Sequence, residues 1–418
     1  MGKTIAEKII AKCSGKDEVS VGDYAWINPR CPVTMPFTYS QGAANHESLG
    51  FDRVYDPERI RIVHGHAGVA NSLRNPENTK RWARWVGIPE RNIFDLDRGG
   101  IEHVTSEEHC WPLPGEFVVE VVNSHTCTRG ALGAFAMTLS YEKGVFLLTG
   151  RIWVQVPDTT KVNITGVLQK GVTARDVSEY VLGQIGGDGA VGTVMEWTGP
   201  VVDAMDMDGR FTMCSSALFF GAWTAIMNPD EKTLEYVRAR TQEPFEPLTS
   251  DSDARFIKAH NFDGSKIEPQ IVVPPSRQTV KPLSELMGMK INRGFIGTCM
   301  NGRLDDMRLA AAVLKGKKVQ PGVMLNITPA TVNIYRQCLN EGIIDAFLNA
   351  GVVVPWPSCG MCGSQQTPLL SGDICVTTGP LNYKGHCGSD KAEIYLANPA
   401  TVAASCIEGR IADPRDYL

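Results

Sequence analysis

The stretch GFIGTCMNGRLDDMRLAAAVL, residues 294–314, decides the fold class. GFIGT (294–298) is short, β-rich and apolar. The segment from Leu304 to Leu314 places Leu304, Met307, Ala311 and Leu314 on one helical face. Asp305 and Asp306 fall in its first turn, where the helix dipole favours acids. A strand therefore turns directly into a helix, with Cys299 at the junction. Working outward, VMLNI (323–327) repeats the pattern ahead of helices over 330–339 and 343–349. Each of these helices is followed closely by a glycine stop. GVVV (351–354), RIRIV (59–63) and FVVEVV (117–122) read as further strands. Strands alternating with helices at this spacing predict an α/β protein with parallel sheets.

Two changes in the text suggest boundaries. Near Asp158 the alternation gives way to KVNITGVLQKGVTARDV (161–177), which reads as a strand, a turn and a new helix. Near Glu268 the polar, proline-bearing SKIEPQIVVPPSRQTVKP (265–282) reads as a linker. The expectation is three α/β/α domains, at 1–158, 159–268 and 269–418, with the first and last of similar character. The N-terminal MGKTIAEKIIAKCSG reads as an amphipathic helix. It has no apolar core of the kind a secretory signal needs, so a cytoplasmic location is expected.

The chain has 418 residues, 41 basic and 46 acidic, for a net charge of −5, and 43% of its residues are apolar. That composition excludes disorder and gives no electrostatic reason to expect nucleic acid or an anionic membrane as a partner. No run approaches the roughly 18–20 apolar residues of a membrane span. Twelve cysteines in a reducing compartment read as buried thiols plus a metal or catalytic subset rather than a disulfide framework.

Three segments carry chemistry. Cys299 follows one strand, and Cys359 and Cys362, in PSCGMC, follow another. In an open parallel sheet, loops at the carboxyl ends of the strands share one crevice, so these three thiols can meet. They suit a soft metal or an iron–sulfur cluster, with a structural zinc site or a chance Cys-x-x-Cys as alternatives. Cys375 and Cys387 are candidates for a fourth ligand, and a cubane held by only three thiolates leaves one iron open to substrate. The second segment is Asn123-Ser124-His125 after the strand FVVEVV. With it go His103 in GGIEHV and His66 in VHGHAG, all at strand ends or loops. The third, GQIGGDGAVG (183–192), matches no phosphate-binding spacing and reads as a tight turn.

Taken together, NSHTCTRGALGAFA (123–136), FIGTCMNGRLDDMR (295–308), PSCGMC (357–362), GGIEHV, MDGRFTMC, NPDEKTLEYV and ANPATVAASCIEGRIADPRD (397–416) resemble the large subunit of isopropylmalate isomerase, within the aconitase superfamily. They occur in family order over essentially the whole chain. The resemblance implies three α/β domains around a [4Fe–4S] cluster held by Cys299, Cys359 and Cys362. It implies an open iron acting as a Lewis acid on a hydroxy acid. It also implies a separate small-subunit chain, a swivelling domain that supplies the base serine and some substrate arginines.

Against the family pattern, several positions differ. Asn123 stands where Asp precedes Ser-His, and Gly65 where Asp precedes His66. Phe219 stands at the catalytic glutamate and Ser215 at an asparagine beside the cluster. In PLNYKGH (380–386), Leu381 and His386 replace two carboxylate-binding arginines, while Asn382 is retained and held to bond a cluster sulfur or a ligand cysteine. Neither Leu nor His reproduces the bidentate fork of arginine; Lys384 and Arg129 are the replacement cations at hand. The implied catalytic residues are His103, Ser124, His125 and His66, and the implied substrate contacts are Asn123, Ser215, Phe219, Leu381, Asn382 and His386. The reading is a cluster-dependent lyase, a hydro-lyase acting on a substrate with fewer carboxylates. A desulfurase acting on a thiolated heterocycle, an ordinary isopropylmalate isomerase and a catalytically silent subunit are the alternatives.

Overall fold

The structure is a computed structural model that describes residues 2–36, 48, 50–65, 75–121, 124–139, 142–364 and 366–418. The chain forms two compact units. One comprises residues 1–164 and 188–262, the other 165–187 and 263–418.

The first unit begins with the helix Ile5–Ser14. Thr4 and Glu7 close a capping box at its start, and Gly15, at φ +71°, ends it. Ile5, Ile9 and Ile10 lie in the core, so the amphipathic reading of the N-terminus holds. A two-stranded antiparallel ribbon pairs β1 (Tyr24–Ile27) with β7 (Ile152–Gln155). The main sheet contains β2 (Val33–Pro36), β3 (Ile60–Val63), β4 (Ile93–Phe94), β5 (Phe117–Val121) and β6 (Phe135–Leu139), in the order β4-β3-β2-β5-β6. All of its pairings are parallel. Every residue of β5 is buried, which is why its sequence is almost continuously apolar rather than alternating. A second sheet has the order β10-β9-β8-β11, from β8 (Thr159–Thr165), β9 (Val194–Thr198), β10 (Thr224–Ile226) and β11 (Lys258–Asp263).

The second unit carries a six-stranded sheet, β13-β12-β17-β16-β14-β15. Its parallel part is β14 (Arg293–Ile296), β15 (Met324–Ile327), β16 (Ile374–Thr377) and β17 (Glu393–Leu396). The helix Leu304–Leu314 forms as read from its periodicity, and Val332–Asn340 and Ile343–Ala350 follow. Two local readings change. The stretch 265–282 is not an open linker: β12 (Gln270–Val272) and β13 (Val280–Pro282) pair antiparallel and add to the sheet beyond β17. Pro282 lies in the edge strand β13, and Pro274 and Pro275 lie between the two strands, so no ladder donor is lost to them. GVVV (351–354) is not a strand but one parallel bridge, Val353 to Asn326.

The segment 165–187 is tied into this unit by Asp176. Its carboxylate accepts from the backbone of Thr173 at 2.7 Å and Gln270 at 2.8 Å, and from Asn398 Nδ2 at 2.8 Å. No two cysteines form a disulfide. Among the described residues no helix is long and apolar enough to cross a membrane.

Candidate active site

In the six-stranded sheet the chain runs from β14 outward to β15, then returns to β16 and β17 on the other side. β14 and β16 therefore flank the reversal of strand order, the place where loops diverge and leave a crevice. The loop after β14 carries Cys299 and the loop after β16 carries Leu381, Asn382 and His386.

Cys299 and Cys359 are buried and Cys362 is partly exposed. Thr298, just before Cys299, has φ +73°, a strained conformation for a β-branched residue. It survives because the neighbouring loops fix it. Gly297 N donates to Thr378 Oγ1 at 2.9 Å, and that hydroxyl donates back to Gly297 O at 3.0 Å. Arg175 ties the two loops together. It is fully buried and donates to Thr378 O at 2.6 Å, Gly379 O at 2.8 Å and Asn301 Oδ1 at 3.0 Å. Asn301 in turn donates to Asp306 Oδ1 at 2.9 Å. Between Cys359 and Met361, a Cβ on Gly360 would lie 2.4 Å from Phe295 Cζ, so only glycine lets this turn close.

The thiols fit a metal centre. Burial pushes the Cys359 thiol well up, and Cys362 and Cys299 are near enough to push it further. Burial, then Cys387, raises Cys362 to about 12. Thiols raised in this way ionise together only when a soft cation neutralises them. Cys375 and Cys387 instead pack in an apolar cluster with Val272, Phe295 and Leu396.

The remaining residues of this loop make contacts within their own unit. Asn382 is buried, and its Nδ2 donates to Ser276 O at 3.4 Å. His386 is buried too, with Nε2 3.4 Å from Cys362 Sγ and Nδ1 2.9 Å from the Tyr383 hydroxyl. Burial lowers its pKa. Leu381 is half-buried and Lys384 exposed.

In the first unit the five-stranded sheet has the same kind of reversal, between β2 and β5. Ser124 and His125 follow β5 directly. Ser124 Oγ is 3.2 Å from His125 Nδ1, and the Phe219 ring meets His125 edge-on at 5.9 Å. His103, in the buried helix Glu102–Glu108, lies 5.8 Å ring to ring from His125. Its Nδ1 stands 3.3 Å from Glu120 Oε2. Glu120 also accepts from Thr126 Oγ1 at 2.7 Å and pairs with Arg129. Arg129 reaches Glu102 at 3.2 Å and Glu107 at 3.8 Å. All of these charges are buried. Burial opposes Glu120's charge, but Arg129 and His103 outweigh it and hold the carboxyl well below its usual range. Arg129 is raised despite burial by Glu120, Glu102 and Glu107. It is thus committed to carboxylates of its own chain, which corrects its reading as a replacement cation for substrate.

Ser215, the last residue of the helix Met207–Ser215, is fully buried, and its carbonyl accepts from Cys127 Sγ at 3.7 Å. His66 and Asn123 lie outside the described residues.

Sequence reading missed Glu120, Glu102 and Arg175, because a lone charge in an apolar run gives no sign of its partner. It also missed His64, at the end of β3, whose Nδ1 is 2.8 Å from Asp95 Oδ1. Asp95 also pairs with Lys80. Burial raises Asp95, yet the bonds from Lys80 and His64 bring it down to about 2. The signal available is VHGHAG itself, in which His64 directly follows the strand Ile60–Val63.

Residues 79–291 and 277–409 match the model of the aconitase family (aconitate hydratase). The chain is 41% identical over 421 residues to the 3-isopropylmalate dehydratase large subunit of Thermodesulfovibrio yellowstonii, covering 100% of this chain and 99% of that one. It is 40% identical over 423 residues to large subunit 1 of the same enzyme from Methanopyrus kandleri, covering 100% of both. The solved holo-form of aconitase X from Thermococcus kodakaraensis aligns at TM-score 0.49 and 13% identity, over 84% of this chain and 83% of that one. Matched by the family model over most of its length and by full-length relatives at about two-fifths identity, this chain belongs to the aconitase family and is an enzyme of the hydro-lyase type.

Proposed function

We propose that the chain is the cluster-bearing large subunit of a two-chain cytoplasmic hydro-lyase. In this reading Cys299, Cys359 and Cys362 hold a [4Fe–4S] cluster, and the substrate is a hydroxy acid with fewer carboxylates than citrate or isopropylmalate. The observation that carries the reading is the loop after β16. Where the family resemblance would put two arginines, Leu381 is apolar and His386 has both ring nitrogens turned to Tyr383 and Cys362. Nothing in that loop offers a substrate carboxylate a guanidinium. A charged hydrogen bond is worth about 1.5–3 kcal/mol, so losing two forks disfavours a polycarboxylate strongly.

The bound cluster would supply a Lewis acid toward a departing hydroxyl. The chain's own groups would handle the protons. Glu120, 3.3 Å from Nδ1, favours the tautomer of His103 with its hydrogen there, which leaves Nε2 as the atom that gives or takes a proton. Ser124 orients His125 through Nδ1, and Phe219 gives that ring an apolar wall. The relatives' designation as large subunits supports a small-subunit partner, which would bring the base serine and substrate arginines. Twelve thiols suit a reducing cytoplasm.

A second reading, an ordinary 3-isopropylmalate dehydratase, is favoured by the identity of 38–41% that runs the length of the relatives. The test is anoxic reconstitution with the small subunit, followed by kcat/KM for 3-isopropylmalate and for 2- and 3-hydroxy acids bearing one carboxylate. A preference for a monocarboxylate supports the proposal. A preference for 3-isopropylmalate overturns it in favour of the second reading.

A further inference from the structure

We propose that His386 is a positioning residue for the cluster, donating its Nε2–H to the Cys362 thiolate in an arrangement fixed by Tyr383. This rests on the reading that Cys299, Cys359 and Cys362 hold iron and sulfide.

For a neutral imidazole, the geometry leaves one arrangement once Cys362 is ionised. A thiolate bound to metal has no proton and only accepts. Nε2, 3.4 Å from Sγ, must then carry the hydrogen. A neutral imidazole with hydrogen on Nε2 has an acceptor at Nδ1. The Tyr383 hydroxyl, 2.9 Å from Nδ1, is therefore the donor there. The two rings stand 4.8 Å apart at 56°. The turn that presents them is closed by His386 N donating to Tyr383 O at 3.2 Å. Gly385 sits in it at φ +83°, a conformation a turn demands and glycine adopts without strain. Ser364 Oγ donates to His386 O at 3.3 Å, so the loop after β16 is fastened to the Cys362 loop by main chain as well as side chain.

Two consequences follow. A hydrogen bond to a ligand sulfur draws charge from the thiolate, raises the cluster's potential and slows ligand loss. The same bond turns the imidazole toward its own chain and away from the carboxylate-binding duty of an arginine. His386 thus becomes part of the cluster's support rather than a substrate contact.

The test compares wild-type, His386→Leu, His386→Gln and Tyr383→Phe proteins after anoxic reconstitution. Iron and sulfide content, midpoint potential by EPR-monitored titration and the rate of cluster loss in air are measured. His386→Leu should keep wild-type iron, shift the midpoint downward and lose its cluster severalfold faster. Gln, which keeps an N–H, should recover part of both effects. Tyr383→Phe should shift both in the same direction by less. Wild-type midpoint and loss rate in His386→Leu at full iron content overturn the proposal. If the leucine variant does not fold, an unchanged midpoint in Tyr383→Phe overturns it. A wild-type protein that takes up no iron and sulfide is a separate result: it removes the cluster reading, and this inference with it.

Discussion

The five-stranded sheet and the six-stranded sheet reverse their strand order in the same way, and each sets its polar residues beside the two strands that flank the reversal. They bury those residues by opposite means. Beside β2 and β5 the groups are ions: Glu102, Glu107 and Glu120 around Arg129, with His103 against Glu120. Beside β14 and β16 they are chiefly thiols, threonines and amides, and the buried guanidinium of Arg175 donates mainly to carbonyls. The ionisable groups respond in opposite directions. Arg129 and His103 pull Glu120 down against the effect of burial, whereas burial and neighbouring sulfur push Cys359 up. The first arrangement is complete within the chain. In the proposed reading, the second has its charge supplied from outside, by the cluster.

The largest expected effect follows from that incompleteness. Replacing Cys359 by serine should abolish cluster uptake and reduce activity to background, measured by iron and sulfide analysis. Urea unfolding of the metal-free protein should change little, because a buried neutral thiol and a hydroxyl differ by no charge. Loss of stability in the apo variant comparable to that described next would break the contrast.

Next in size is Arg129→Met. Removing the cation leaves three carboxylates in the core, and breaking a buried pair in this way costs about 3–5 kcal/mol, read from denaturant midpoints. The pH dependence has a definite sign. Glu120's folded pKa lies well below its ordinary 4.5. Its contribution to stability is therefore full above about pH 4.5 and is lost as the pH falls toward and through the folded value. Glu120→Gln should remove that acid-dependent part, so wild-type and variant curves converge at low pH and diverge above it.

How much of this was legible in the sequence depends on the kind of group. The helix Leu304–Leu314 and the strand after Arg293 were readable because apolar periodicity is a local property. Cys299, Cys359 and Cys362 drew a metal reading because a lone cysteine and a Cys-x-x-Cys in neighbouring loops suit a soft metal. The ion network was not. Glu120 sits inside FVVEVV, where a lone acid looks like an outward-facing residue of an ordinary strand. Its partners are 9 and 18 residues away at Arg129 and Glu102, and 17 away at His103, and no pattern of spacing links them. His386 was legible as a departure but not as a partner of Cys362, since that pairing depends on two loops meeting. The antiparallel addition β12–β13 was hidden because its prolines read as a break, when Pro282 lies in an edge strand and Pro274 and Pro275 lie between the two strands.

A smaller effect is expected from Arg175→Met. The substitution leaves Thr378 O and Gly379 O short of their donor, which costs about 1–3 kcal/mol for a buried acceptor. The consequence for function should be felt at the cluster. With the loops after β14 and β16 no longer tied, the reconstituted variant should lose iron faster than wild type in air. Equal loss rates would mean that Thr378 and Gly297 hold the two loops without the arginine.

The smallest effect should come from Ser124→Ala, and its size sharpens the comparison most. Ser124 is exposed, and its contact with His125 Nδ1 at 3.2 Å is a single neutral hydrogen bond. Such a bond is worth about 0.5–1.5 kcal/mol, so kcat should fall by roughly tenfold at most with stability nearly unchanged. His103 is held differently, by a buried carboxylate 3.3 Å from Nδ1. Glu120→Gln should therefore lower kcat further than Ser124→Ala, because it removes a buried charged contact to the ring rather than a single neutral hydrogen bond. If the serine variant lowered kcat as far as the glutamine variant, orientation rather than charge would be the means by which this sheet controls its histidines.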